Sequence, residues 1–180
     1  MELKEKALRF AIVAHKEQLR KSDNSPYVAH PIMVGMLLAE YGFDEAVIAA
    51  AFVHDVLEDT DMTREQLSEE LGEDIATIVT SVSEDMSKEW EVRKEAYAKS
   101  VAEADEATRA VSIADKIHNA ESVISDYEYK GKDVWLPFNR GKAKKIWFEE
   151  LLYNEVRAVW EHPLLDRYKL AIEKLKTLDE

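Results

Sequence analysis

Apolar residues recur along this chain at helical spacing, and strand-like alternation over five or more residues is absent, so the pattern predicts helices and no sheet. Leu8, Ala11, Ile12 and His15 share one face of a first helix from Leu3 to about Leu19. A polar loop, Arg20 to Tyr27, follows and is closed by Pro26. His30-Pro31 opens a second helix, Ile32 to about Tyr41, with Gly42 suited to the position just past its end. Asp44 caps a third, apolar helix expected to continue to about Leu57. Thr63-Arg64-Glu65-Gln66 has the form of a capping box and starts a short helix ending near Gly72. Asp74 to about Val82 is another, with Ile75, Ile78 and Val79 facing inward, and the polar stretch Ser83 to Glu89 reads as a loop. Helices are expected over Glu91 to about Ala102, Glu106 to about Tyr127, Lys142 to Trp160 and Leu164 to Leu178. The fold class that results is all-α, a compact single-domain helical bundle spanning 1–180, with no internal repeat and no linker.

One stretch breaks the apolar pattern. Within Ala49 to Thr60, His54, Asp55, Glu58 and Asp59 crowd into six positions. On an unbroken helix they would fall at about 0°, 100°, 40° and 140° around the axis, beside a packed arc of Phe52, Val53, Val56 and Leu57. Burying such a cluster unpaired costs several kcal/mol per charge, and a divalent cation would offset that directly. An exposed acidic helix end with a core histidine is the plainer alternative. Two further positions can complete a site. His30 stands at the mouth of the second helix, and Asp115 sits in Ala110 to Asn119 where the periodicity wants a core residue, with Asn119 at i+4. Two imidazoles and two carboxylates suit Mn²⁺, Fe²⁺ or Zn²⁺ with positions left open for water and substrate.

Composition narrows the chemistry. The chain has no cysteine, so disulfides and thiolate metal sites are excluded. No apolar run approaches twenty residues, and the first six residues lack a signal peptide's apolar core, which together suggest a cytoplasmic protein. A formal net charge of −13 argues against nucleic acid as a general partner and leaves room for a local basic pocket. Lys130 to Lys145 stands out there, with six basic residues against the single acid Asp133. The stripe Trp135, Phe138, Trp147 and Phe148 beside it is more typical of core than of a cofactor site.

The order His30, His54-Asp55, Asp115 resembles the H…HD…D signature of HD-domain metal phosphohydrolases. Arg20-Lys21, Ser25-Pro26-Tyr27 with His30-Pro31, His54 to Thr60 and Ala114 to Asn119 resemble, more narrowly, the (p)ppGpp hydrolase domain of RelA/SpoT homologues and the stand-alone small alarmone hydrolases. The similarity covers about residues 5–125, with the C-terminal helices 142–178 expected to pack on that HD-type domain. It implies one divalent ion, Mn²⁺ foremost, on His30, His54, Asp55 and Asp115. Glu58 and Asp59 would handle water and its proton, Arg20 and Lys21 the base and phosphates, and Asn119 the ribose or phosphate region; Lys142 joins them as a further phosphate cation. The implied reaction removes the 3′-diphosphate of (p)ppGpp as pyrophosphate. Ala120-Glu121-Ser122 after Asn119 departs from the Arg-containing continuation of the alarmone enzymes. Alternatives are another nucleotide phosphatase, acting on 5′-nucleotides or NADPH, and a silent nucleotide-binding HD protein. The partner expected is a small phosphorylated nucleotide, with no membrane, and a homo-oligomer is left open.

Overall fold

Asp105 accepts a hydrogen bond from the Thr108 amide (2.8 Å) and so starts the long helix that organises the chain, Glu106–Lys130. In the computed structural model, which describes residues 2–20 and 24–180, it is the eighth helix. The order is α1 (Leu3–Ala14), α2 (Ala29–Glu40), α3 (Glu45–Phe52), α4 (Val56–Asp59), α5 (Arg64–Leu71), α6 (Glu73–Val82), α7 (Trp90–Glu103) and α8 (Glu106–Lys130). A 3-10 turn (Gly131–Trp135), α9 (Gly141–Arg157) and α10 (Pro163–Thr177) follow. Among the described residues there is no strand, only an isolated bridge between Leu19 and Pro26. The chain is all-α, and none of its described helices is long and apolar enough to cross a membrane.

Ala110, Val111, Ile113, Ala114 and Ile117 of α8 are fully buried, and α2, α3, α6, α7 and α10 pack around them. Small residues there let the neighbouring helices close in. Between α2 and α3 the approach is tighter still. A Cβ on Gly35 would lie 2.3 Å from the Phe52 ring, so only glycine permits this crossing. The same crossing brings the His30 and His54 rings to 5.2 Å between centroids.

The expected third helix does not run unbroken to Leu57. It stops at Phe52, passes through a turn at 53–55 and resumes as the four-residue α4. The Val53 amide bonds Ala50 (3.1 Å) and the Val56 amide bonds Val53 (3.1 Å), both three residues back. The carbonyl of Ala51 accepts instead from Nδ1 of the buried His54 (2.8 Å). A side chain has taken a ladder position, which is why apolar spacing alone reads through the break. The first helix likewise ends at Ala14 rather than Leu19. Residues 18–20 and 24–27 meet through Arg20 N–H to Ser25 O (2.8 Å) and Tyr27 N–H to Gln18 O (2.9 Å). The capping box at Thr63 and Gln66 is present with both of its bonds.

A smaller apolar cluster closes the other end. Ala120 of α8, Val134, Trp135, and Ala171 and Leu175 of α10 are buried together, with Phe138, Ile146 and Leu178 packed on them. The stretch 131–138 is thereby fixed as a wall facing α8.

Candidate functional site

Between that wall and the α2–α3–α8 crossing lies a cavity of about 860 Å³. Its lining includes Arg20, Tyr27, His30, Asp55, Glu58, Asp59, Asp115, Lys116 and Asn119 on one side and Asp133, Val134, Leu136, Pro137, Phe138 and Lys145 on the other. Three residues from three elements converge at its base. His30 comes from the first turn of α2, His54 from the α3–α4 break and Asp115 from mid-α8, with ligand atoms within 4.8 Å of one another. All three are buried. Asp55 borders them: its Oδ1 is 3.2 Å from His54 Nε2 and its Oδ2 3.6 Å from His30 Nε2. His30 Nε2 to Asp115 Oδ1 is 3.0 Å, and His54 Nε2 to Asp115 Oδ1 is 3.6 Å.

These spacings fit a metal ion. Donors held at about 2.1 Å from one ion lie roughly 3.0 Å apart along an octahedral edge and about 3.4 Å along a tetrahedral one. His54 Nε2 is buried without a hydrogen-bond partner, while its Nδ1 is committed to Ala51. An orphaned imidazole nitrogen facing two carboxylates is a ligand set in need of a cation. The electrostatics agree. Burial alone would lower the His54 pKa, yet Asp55 and Asp115 outweigh it and hold it at about 9. His30, where burial dominates, is lowered. Burial pushes against ionisation of Asp115 as well, but Lys116 and the two histidines hold its carboxyl well below the usual range. The pocket favours positive charge at its base.

Each of these groups has a support, and Asn119 is the i+4 partner of Asp115 that the sequence suggests. Tyr27 OH donates to Asp55 Oδ2 (2.6 Å). Lys116 Nζ donates to Asp115 Oδ2 (2.6 Å) and Asn119 Nδ2 to Asp115 Oδ1 (2.5 Å). His118 Nδ1 is 2.7 Å from His30 Nδ1. Lys116 and His118 lie in the same ten-residue string as Asp115, one residue and three residues on; that adjacency was the available signal.

The other expected residues separate. Glu58 lines the cavity, with one oxygen accepting the Glu84 amide (2.6 Å), and burial raises its pKa. Asp59 and Arg20 also line it. Lys21 lies outside the described residues. Lys142 is not among the lining residues: its ammonium donates to the carbonyls of Lys176 (3.1 Å) and Leu178 at the end of α10. The cation that α9 presents to the cavity is Lys145, one turn on. It is paired with the fully buried Glu149, which also accepts from Tyr168 OH, and it lies over the Phe138 ring at 5.6 Å. Of the aromatic stripe, Trp135 and Phe148 are core and Phe138 lines the cavity.

An HD-domain model matches residues 7–144, and the chain belongs to the HD-domain family. That family implies a divalent metal, and His30, His54 and Asp115 form the cluster suited to it. Among similar proteins, a probable guanosine-3′,5′-bis(diphosphate) 3′-pyrophosphohydrolase of Synechocystis is 38% identical over 124 residues, 66% of this chain and 16% of that one. The guanosine-3′,5′-bis(diphosphate) 3′-pyrophosphohydrolase MESH1 of Drosophila melanogaster is 34% identical over 146 residues, 77% of this chain and 79% of that one. The chain thus spans under a fifth of the long relative and most of the short one. A solved metazoan orthologue of SpoT that hydrolyses ppGpp superposes with a TM-score of 0.81 over 97% of this chain and 96% of that one, at 23% identity. That last likeness bears on the fold.

Proposed function

We propose that this protein is a metal-dependent phosphohydrolase that removes the 3′-diphosphate of (p)ppGpp as pyrophosphate. The observation that carries the reading is the convergence of His30, His54, Asp55 and Asp115 at the base of a cavity that also holds Glu58, in a chain matching most of a short ppGpp pyrophosphohydrolase. A cavity of about 860 Å³ has room for a bis-phosphorylated nucleotide.

A divalent ion, Mn²⁺ foremost by the family resemblance and compatible with the mixed imidazole and carboxylate donors, would supply Lewis-acid activation of water and of the scissile phosphoryl group. The chain's own residues do the rest. Glu58 has one oxygen tied to the Glu84 amide, which leaves the other to accept a proton from the attacking water. Its raised pKa brings it nearer the pH at which such a base works. The water oxygen bonds to the ribose-proximal phosphorus, the bond from that phosphorus to the 3′-oxygen breaks, and pyrophosphate departs. Asp59 is the group we assign to return a proton to the 3′-oxygen. Arg20 meets the base or the phosphates, because a guanidinium both stacks and forks onto oxyanions; Lys21 and Asn119 assist it. Lys145 takes the phosphate role that the sequence suggested for Lys142.

The test is turnover of ppGpp with Mn²⁺, reading pyrophosphate and orthophosphate separately. GDP and pyrophosphate are the expected products. Orthophosphate, or consumption of NADPH or nucleoside monophosphates while ppGpp survives, would point to a different phosphatase; saturable binding without product would point to a sensor. Glu58→Gln should keep ion and nucleotide affinity and lower kcat by about 10²–10⁴-fold.

A further inference from the structure

The four groups at the base of the cavity are each held by a neighbour, and for three of them the donor is fixed by atom type. The Ala51 carbonyl can only accept, so Nδ1 carries the proton of a neutral His54 ring and Nε2 the lone pair it offers an ion. Tyr27 donates to Asp55, and Lys116 and Asn119 donate to Asp115. His30 differs. Its Nδ1 faces another Nδ1, that of His118, at 2.7 Å, so two nitrogens share one proton. Which ring owns that proton decides whether neutral His30 offers a lone pair at Nε2 or an N–H.

We propose that His118 is a positioning residue for His30. As a neutral imidazole with its own proton on Nε2, it accepts the Nδ1–H of His30 and so turns the His30 Nε2 lone pair toward the ion. Geometry supports this assignment. With an ion bound, the 3.0 Å from His30 Nε2 to Asp115 Oδ1 is a ligand-edge spacing rather than an N–H···O bond, and the His30 ring is 2% exposed and cannot turn to water for another acceptor. The His118 ring stands alongside at 4.9 Å between centroids, tilted by 39°. His118 is also on α8, three residues beyond Asp115. One helix therefore supplies a ligand, the amide that holds that ligand and the acceptor that sets a second ligand's tautomer. The proposal rests on the reading that the cluster binds a divalent ion; it is independent of which phosphate ester is cleaved.

The decisive measurement is the tautomer of each ring by ¹⁵N NMR on protein loaded with diamagnetic Zn²⁺. His30 should be protonated at Nδ1 and His118 at Nε2, with scalar coupling across the shared hydrogen bond. A proton owned by His118 Nδ1 overturns the proposal. Mn²⁺ titration followed by electron paramagnetic resonance gives a second readout that needs no turnover. His118→Phe should weaken Mn²⁺ binding about 10–100-fold. His118→Asn, whose carbonyl can stand near the Nδ1 position, should recover most of that loss. Wild-type affinity in His118→Phe, or equal losses in both variants, overturns the proposal. If His118→Phe fails to fold, the wild-type tautomers still decide. A wild-type protein that takes up no divalent ion defeats the metal reading and the proposal together, whereas ion binding without ppGpp turnover defeats only the substrate.

Discussion

The two walls of the cavity use charge in opposite ways. On the α2–α3–α8 side, charged groups are concentrated on one point, and the orphaned Nε2 of His54 leaves a place for something not in the chain. On the 130–145 side the basic run is nearly consumed by the protein itself. Lys132 donates to the Glu180 carbonyl oxygen (2.6 Å), Lys142 to the end of α10, and Arg140 and Lys144 pair with Glu91. Only Lys145 reaches the cavity from α9, and it does so from a buried carboxylate. A cluster of charge in a sequence therefore signals a ligand where the fold leaves an atom unsatisfied. Where carbonyls and carboxylates answer each cation, it signals fastening.

The sharpest way to break this contrast is to remove one charge from each wall. Asp115→Asn should abolish stable ion binding and reduce turnover by about three orders of magnitude or more. Lys142→Met should leave kcat and KM for the proposed substrate unchanged, because its ammonium is occupied by the Lys176 and Leu178 carbonyls. Comparable losses in both variants would mean that the basic wall meets substrate through Lys142 after all. Metal content by elemental analysis and steady-state rates check both.

Lys145 tests the same wall from its other side. Removing one member of a buried ion pair costs about 3–5 kcal/mol, and Lys145→Met should sit near the low end because Lys145 borders the cavity. Glu149→Gln in the same chain should recover more than half of the loss, since Gln still accepts from Tyr168 without an uncompensated charge. The doubly substituted protein then isolates function. Losing a charge-assisted phosphate contact of about 1.5–3 kcal/mol should raise KM tenfold or more, with kcat little changed. An unchanged KM would reduce Lys145 to a structural cation.

What the sequence disclosed follows the same division. Helix order was legible from apolar spacing and caps, because Asp44 and Thr63 both accept the amide bonds their positions predict. His30, His54 and Asp115 were legible because each interrupts an apolar segment, and burial leaves such residues few ordinary roles. The break at 53–55 was not, since Phe52 and Val56 are buried on either side of it and the signal is a side chain replacing a backbone donor. Lys142 and Lys145 look alike in sequence. What separates them is the end of α10, some thirty-five residues away in the chain, which captures one and not the other.

The pH response sharpens the metal wall further. In the ion-free protein His54 titrates at about 9, above its ordinary 6.5, because Asp55 and Asp115 overcome the effect of burial. A raised folded-state pKa gives stability that is complete below 6.5 and is lost as pH rises through about 9. Ion-free protein should therefore lose stability across that window in denaturant titrations. Mn²⁺ affinity should move the other way, strengthening from pH 6.5 toward 9 as the ion no longer competes with the His54 proton. Calorimetry in buffers of different ionisation enthalpy should show proton release on binding below pH 9. Affinity independent of pH would mean that His54 is neutral before the ion arrives.

The smallest effect concerns the fastening of the basic wall. Trp135 Nε1 donates to the Asp179 carbonyl (2.9 Å), and Lys142 reaches the same tail three and one residues earlier. Trp135→Phe keeps most of the buried ring and removes one hydrogen bond, so it should cost about 1 kcal/mol. In a domain of this length that is a fall of about 2–4 °C in Tm. Lys142→Met should cost a similar amount. If both act by holding one tail against one wall, the first loss frees the segment that the second would have held. The double variant should then lose measurably less than the sum of the two singles. Strict additivity would mean that the tail is already independent of the wall, and that the 131–138 stretch keeps its place through the packing of Val134 and Trp135 on Ala120, Ala171 and Leu175 alone.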